Sequence, residues 1–285
     1  MQPLTADERP TAMADLIARI AELWRYPVKS CAGEAVESLA LDADGWPVGD
    51  RGWGVVDVSG ELTWMGAHPR LALVQAHLAG PALQLRAGGR SLSVPDDGGD
   101  AVEVRGWNGE RQDFDILQAW DAGEDAAALL HAATGERLRL VRLSIEAQRR
   151  PMLNALHLLG DGSLQSWQEA LGRPLNGPVQ RARPNVVLSG EDGEPLPPFI
   201  EDLLTEARLG TLALRRTSPC VRCVMPTVDP ATAEPQPPVL DALARLSAER
   251  APGEPVQFGV YARGNAAGRL HVGDRVELAL AFAGA

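Results

Sequence analysis

Arg216-Thr217-Ser218-Pro219-Cys220-Val221-Arg222-Cys223-Val224-Met225-Pro226-Thr227-Val228-Asp229-Pro230 is the stretch on which the reading of this chain turns. It carries two of the three cysteines, spaced C-x-x-C, and directly follows a strand-like run at 212–215. Pro219, Pro226 and Pro230 have no backbone N–H to give and fix φ. The stretch therefore predicts a shaped loop, not a continuous helix or a central strand. A loop stiffened by prolines and flanked by arginines is suited to presenting a thiolate, because nearby positive charge and metal coordination both favour the deprotonated sulfur. The rest of the chain is expected to bring further groups to this loop.

With 285 residues and 45% hydrophobic content, the chain is long enough for two domains with real cores. A net charge of −11 leaves no basic face for phosphate neutralisation, so no nucleic-acid partner is expected. No window approaches the run of about 18 apolar residues that a membrane helix needs. The first 19 residues carry Asp7, Glu8 and Asp15 where a signal peptide has basic and apolar regions. Three cysteines do not make a disulfide framework. The expectation is a cytoplasmic protein with no membrane partner.

Among 27 basic residues Lys29 is the only lysine. It ends a strand-like run in the proline-stiffened segment Trp24-Arg25-Tyr26-Pro27-Val28-Lys29-Ser30-Cys31. A compact ammonium beside a serine hydroxyl suits a phosphate. Chance survival of one lysine in an arginine-rich composition is the plainer alternative.

Residues 1–18 read as a loose or helical arm, with weak helical character at 12–18. Short strand-like runs follow at 20–26, 36–41, 52–58, 62–65, 71–78, 82–87, 91–94 and 101–104, separated by Gly and Asp clusters. Their spacing predicts a meandering sheet or small barrel. Beyond residue 120 helices are expected at 124–133, stopped by Gly135, at 163–172 with Ser163 as N-cap, and at 238–250. Between and after them come strands at 138–143, 186–188, 256–263 and 275–282. The fold class is mainly β with peripheral helices (α+β), divided into a module at 19–115 and a second at 118–285.

Several motifs follow one another in a specific order: Tyr26-Pro-Val-Lys-Ser-Cys31, Asp50-Arg51-Gly-Trp53, Pro69-Arg70-Leu71, Arg183-Pro-Asn-Val-Val-Leu-Ser-Gly190, Cys220-Val-Arg-Cys223, Thr227-Val-Asp-Pro230, Phe258-Gly-Val-Tyr261 and Val272-Gly-Asp274. In that order they resemble the MOSC family, over almost all of residues 20–280. The first part resembles the N-terminal β-barrel module found with it in the amidoxime-reducing proteins and their bacterial relatives.

The resemblance implies an N-terminal β-barrel module, a C-terminal MOSC β-barrel, and a molybdenum cofactor (molybdopterin) wedged between them. Cys223 is then the metal ligand and a catalytic residue. Lys29, Ser30 and Arg51 match cofactor contacts in the first module. Asn154, Arg183, Asn185, Val221, Arg222 and Tyr261 match contacts in the second. Asp229 is a candidate proton shuttle, with capping of the turn at Pro230 as its structural alternative. The implied reaction reduces N-hydroxylated compounds such as amidoximes and hydroxylamines by oxygen-atom transfer. Electrons would come from a separate electron-transfer protein, ferredoxin or cytochrome b5-like, and its reductase, since the chain has no four-cysteine cluster site.

Ala233 departs from the family pattern T-V-D-P-x-T-G, an expected change in the turn and not in the ligand. Other readings of the thiols remain. A zinc site would need a second paired motif that is missing. A thioredoxin-like pair would need to open a helix. A sulfur carrier using a persulfide on Cys223 fits the same spacing. A pyridoxal-phosphate role for Lys29 lacks a partner motif for the ring.

Overall fold

The computed structural model describes residues 14–96, 99–150 and 153–281. Residues 1–13 of the expected arm, Pro151 beside the Asn154 segment and Phe282 of the closing strand lie outside the described residues. In chain order the elements begin with β1 (Leu16–Arg25), β2 (Glu34–Ala35), β3 (Ser38–Leu41) and β4 (Trp53–Val56). Then come β5 (Gln75–Ala79), β6 (Ala82–Ala87), β7 (Arg90–Pro95), β8 (Asp100–Asn108) and β9 (Asp113–Asp121). The middle of the chain holds α1 (Glu124–Thr134), β10 (Arg139–Leu143), α2 (Ile145–Gln148), β11 (Leu156–Gly160), α3 (Asp161–Leu171), α4 (Pro178–Ala182) and β12 (Val186–Gly190). The last elements are β13 (Leu204–Leu209), β14 (Leu212–Val221), α5 (Pro238–Arg250), β15 (Gln257–Gly264), β16 (Gly268–His271) and β17 (Arg275–Leu280).

Seven strands close into a barrel in the order β12, β11, β15, β14, β13, β17, β1, with β1 pairing back onto β12. β11 and β12 run parallel, and the other pairs are antiparallel. Alternation along each strand fills the interior. Ala18 and Ile20 of β1, Leu156 and Leu158 of β11, Val260 and Ala262 of β15 and Leu278 of β17 belong to one buried cluster. Each such leucine contributes roughly 1.5–3 kcal/mol by leaving water. On the outer side Leu159, Val187 and Phe258 pack under α3 and α5, where Trp167 is fully buried and its indole N–H donates to the Val239 carbonyl at 3.0 Å.

The N-terminal module is made of two smaller sheets, β4-β10-β9-β8 and β5-β6-β7. They share a core with α1, built on Val55, Leu71, Leu83, Leu130 and Leu140. A small cluster of Met65 and Ala72 with Val228 and Ala233 joins this module to the segment that follows the cysteine pair.

The structure departs from the sequence expectations in five places, each for a local reason. The chain at 16–18 is strand, because Leu16 to Arg19 pairs with β17 and the segment alternates buried and exposed side chains. Residues 62–65 form no strand beyond a bridge of Leu62 to Val56, and the run expected at 71–78 begins as a 3-10 turn, Pro69–Leu73, under the fixed φ of Pro69. Ser163 lies inside α3, two residues past its start, and its hydroxyl accepts the Phe199 N–H at 2.7 Å instead of capping the helix. Pro219 and Cys220 lie within β14.

The module division expected at 115–118 falls inside β9, whose ladder runs on to β10. β1 and β3 pair instead with strands of the second half. A pattern of alternation identifies a strand but not its partner. No helix among the described residues is long and apolar enough to cross a membrane.

Glu201 stands alone in this scaffold: it is buried, and neither carboxyl oxygen has a hydrogen-bond partner in the described chain. Burial pushes its carboxyl up to about 7. A carboxyl raised in the folded state favours folding while protonated. Its contribution therefore declines as pH rises from the ordinary carboxylate range through about 7. Glu201→Gln should remove that decline and raise stability at pH 8 by roughly 1–3 kcal/mol. Denaturant unfolding of both proteins at pH 5 and pH 8 measures it.

Candidate functional site

β14 leaves the barrel before it ends. Its pairing with β13 stops at Arg215, while pairing with β15 continues to Val221 through two bulges, at Arg216/Ser218 and Pro219/Val221. Pro219 therefore sits in a stretch paired on one side only, where a missing N–H is tolerated. The bulges also separate the two sulfurs, since bulges re-aim side chains. Cys220 is buried and Cys223 is exposed. Between them Arg222 N–H donates to the Val256 carbonyl at 2.7 Å, and past Cys223 a 3-10 turn, Met225–Thr227, follows.

Facing this segment are the β1–β2 connection and the residues before β4. Asp50 is the buried hub between them. One of its oxygens accepts the Tyr26 N–H at 2.8 Å and the Asn185 amide at 3.1 Å, and the other pairs with Arg51. Asn185, fully buried, also donates to the Trp24 carbonyl at 3.2 Å, while its oxygen accepts the His157 N–H at 3.1 Å and an Arg51 N–H at 3.3 Å.

Two guanidiniums stand over the Tyr26 ring, with the Arg51 and Arg183 carbons 4.9 and 4.2 Å from its centroid. Burial pushes the Tyr26 phenol up and holds Arg183 down to about 10. Ser30, Arg51 and Arg183 have φ of 69°, 50° and 61°. For non-glycine residues this left-handed backbone is strained, and here it recurs on the residues that face one cleft.

That cleft, of about 280 Å³, lies between the two modules and is lined by Lys29, Ser30, Arg51, Asn154, Arg183, Asn185, Val221, Arg222, Cys223 and Tyr261. These are all the residues expected from sequence except Asp229. A larger cavity of about 590 Å³, beside α1 on the N-terminal module, contains none of them.

Asp229 is not part of the cleft lining. Its carboxylate accepts the Ala231 and Thr232 N–H groups at 2.9 and 3.2 Å and pairs with the buried Arg181 at 2.7 Å. Burial opposes its charge, but these amides and Arg181 hold it below the usual carboxylate range. This geometry is that of the turn cap.

Asp50 of the Asp50-Arg51-Gly-Trp53 motif also lines the cleft, as do side chains that the sequence did not mark, among them Trp64, Arg150 and His157. Of the scattered histidines, His157 bears on Cys220; its Nε2 lies 3.1 Å from the Phe258 carbonyl, and Gly259 provides the space, since a Cβ there would collide with that nitrogen. Burial alone would raise the Cys220 thiol. His157 and Arg222 outweigh it and hold it below the ordinary thiol range, with Arg222 Nη1 3.0 Å from the sulfur. The same guanidinium donates to the Ala182 carbonyl at 2.8 Å, so it is fixed at both ends. Lys29 is brought down to about 8 by burial and then by the like charge of Arg150, with Cys223 opposing the shift.

Among the described residues, Ser30 Oγ, Arg183 Nη2 and Arg222 Nε are buried with no hydrogen-bond partner. Buried polar atoms are normally paired. Unused donors converging on a cation-lined cleft, in a chain of net charge −11, fit an anionic ligand.

A model of the MOSC domain matches residues 150–277, and one of the MOSC N-terminal beta barrel domain matches residues 17–137. The chain belongs to the MOSC family. Its MOSC relatives include the molybdenum cofactor sulfurase of Drosophila mojavensis, 27% identical over 263 residues. That match takes in 85% of this chain but 31% of the sulfurase, so the chain spans about a third of that relative.

The mitochondrial amidoxime-reducing component 1 of Homo sapiens is 28% identical over 240 residues, 76% of this chain and 68% of that protein. Human mitochondrial amidoxime reducing component 2 is 28% identical over 294 residues, 91% and 83% of the two chains. Among solved structures, the YUAD protein from Bacillus subtilis aligns over 94% of this chain and 98% of its own, with a TM-score of 0.47 and 13% identity.

Two substitutions test how this MOSC chain holds its cleft. Asn185→Ala strands the Trp24 carbonyl and the His157 N–H in the interior, and urea unfolding should show a loss of roughly 1–3 kcal/mol. Ala233 has φ 63°, in the turn that Asp229 caps. Ala233→Gly should therefore raise stability by roughly 0.5–1 kcal/mol, the left-handed cost less the extra freedom of the unfolded glycine.

Proposed function

We propose that this MOSC protein is a molybdenum-cofactor oxidoreductase that reduces N-hydroxylated compounds, amidoximes and hydroxylamines, by oxygen-atom transfer. Its electrons would come from a separate electron-transfer protein, of the ferredoxin or cytochrome b5 type, and its reductase. The observation that carries this reading is the inter-module cleft itself. Exposed Cys223 stands on one wall, and buried donors without partners, Ser30 Oγ and Arg183 Nη2, stand around it.

When bound, the molybdenum cofactor would supply two-electron redox chemistry and, at its metal, an acceptor for the substrate oxygen. The protein's part is to bind and orient. Cys223 offers the soft thiolate that a sulfur-bound metal takes as a further ligand. Ser30, Arg51, Arg183 and Arg222 hold the anionic parts of the cofactor, with Lys29 at their edge. Arg222 is kept in place by the Cys220 sulfur and the Ala182 carbonyl. Trp64, Leu143, Leu153 and Met225 line the same cleft and limit water around the reacting atoms.

A sulfur carrier with a persulfide on Cys223 is the second reading. What favours it is the similarity to a molybdenum cofactor sulfurase over 85% of this chain, together with the exposure of Cys223.

Protein made in a molybdate-supplied host should contain roughly one molybdenum per chain, and Cys223→Ala far less. A chemically reduced sample of the parent should convert benzamidoxime to benzamidine. A folded parent with little molybdenum and a persulfide on Cys223, detected by mass spectrometry, would instead establish the carrier.

A further inference from the structure

Arg222 is the cation that the cysteine loop contributes to the cleft, and its donors can be followed one by one. Nη1 meets the Cys220 sulfur at 3.0 Å, Nη2 gives to the Ala182 carbonyl at 2.8 Å, and the backbone N–H gives to the Val256 carbonyl. Nε is buried and has no partner among the described residues. Arg51, in the same cleft, has Asp50 as its counter-charge. Among the described residues no carboxylate pairs with Arg222, and the group standing where one would be expected is a sulfur.

The chain is bent to put it there. Cys220 lies where the ladder with β15 shifts register, between Pro219 and Val221, and it is fully buried while Val221 is 53% exposed. The same ladder sets Ser218 opposite Tyr261, which also lines the cleft. After burial, the charge of Cys220 is what weighs most on both neighbours: it favours the protonated Arg222 and pushes the Tyr261 phenol up. A guanidinium drawn out of water is costly unless an anion accompanies it, and sulfur can be that anion.

We infer that Cys220 is present as a thiolate and is the positioning residue for Arg222, fixing the guanidinium so that Nε is left free for an oxyanion of the cleft's ligand. The C-x-x-C pair then divides its work, with the outer sulfur offered to the metal and the inner one supplying a charge. The inference rests on the proposed function for the identity of that ligand, whereas the thiolate and its pairing are read without it.

A double-mutant cycle on protein made without added molybdate tests the pairing. Serine at position 220 removes the charge, and aspartate keeps a charge at similar bulk. With Arg222 in place, the unfolding constant of Cys220→Asp in urea should be no larger than that of Cys220→Ser. With Arg222→Gln it should be roughly a hundredfold larger, because the carboxylate is then buried alone. A thiol that merely packs gives the other order, with aspartate the more damaging in both backgrounds. If the variants at 220 do not fold, the Cys223→Ala chain still decides. At neutral pH it should show the ultraviolet absorbance of one thiolate and lose it on unfolding, since Cys31 is pushed up to about 12 by burial and stays protonated.

Molybdenum content reads the positioning. Made with molybdate and passed through gel filtration, Cys220→Ser should hold about tenfold less molybdenum than the parent, and Cys220→Asp should recover part of the loss. Aspartate worse than serine in both backgrounds, or no thiolate in folded Cys223→Ala, overturns the inference. Parent-like molybdenum in folded Cys220→Ser overturns the positioning role. A parent that takes up no molybdenum while the cycle shows the coupling would sink the proposed function and leave Cys220 and Arg222 paired.

Discussion

A single carboxylate buried between two β modules, Asp50, sets the geometry of everything around it. It would be costly there without compensation, and compensation comes from the Tyr26 N–H, the Asn185 amide and the Arg51 guanidinium. Those partners come from three separated parts of the chain: the end of β1, the entry to β12, and the loop before β4. Satisfying one charge thus fixes the first module against the barrel and orients Arg51 and Tyr26 toward the cleft. Asn185 extends the same network to Trp24 and His157.

The cleft that results concentrates positive charge within an acidic protein. Two of its cations are held in place by neutral groups, Arg183 by the Cys31 carbonyl and the Tyr26 face and Arg150 by the Ala147 carbonyl. Such partners orient a guanidinium without neutralising it, so its charge stays available to a ligand. The strained backbone at Ser30, Arg51 and Arg183 belongs to the same design, because those residues reach the cleft from conformations that the surrounding packing has to enforce.

Much of this cleft was legible in the sequence, because its residues occur in short motifs whose chemistry is narrow: a lysine and serine after a proline turn, an arginine two before an asparagine, a C-x-x-C pair. Arg150 and His157 were not legible. A lone arginine or histidine has no spacing signature, and both gain their meaning from glycines, Gly106 and Gly259, that are distant in sequence. The Asp229 motif is compatible with a shuttle or with a turn cap, and the sequence does not show the ion pair with Arg181. The strands were legible from alternation, but their partners were not. Pro219 was read as breaking the strand, whereas one-sided pairing of β14 accommodates it.

The closure of the barrel by β1 bears on how the molecule is made. This strand leaves the ribosome early, yet one of its two neighbours, β17, is synthesised long after it. Until then β1 and β13, the two strands that β17 joins, would each present a bare edge, the kind of surface that draws in other chains. Completion of the barrel is accordingly a late, non-local event that waits on almost the whole polypeptide. The C-terminal half cannot be excised as an autonomous unit without opening the very sheet that carries the cysteine pair.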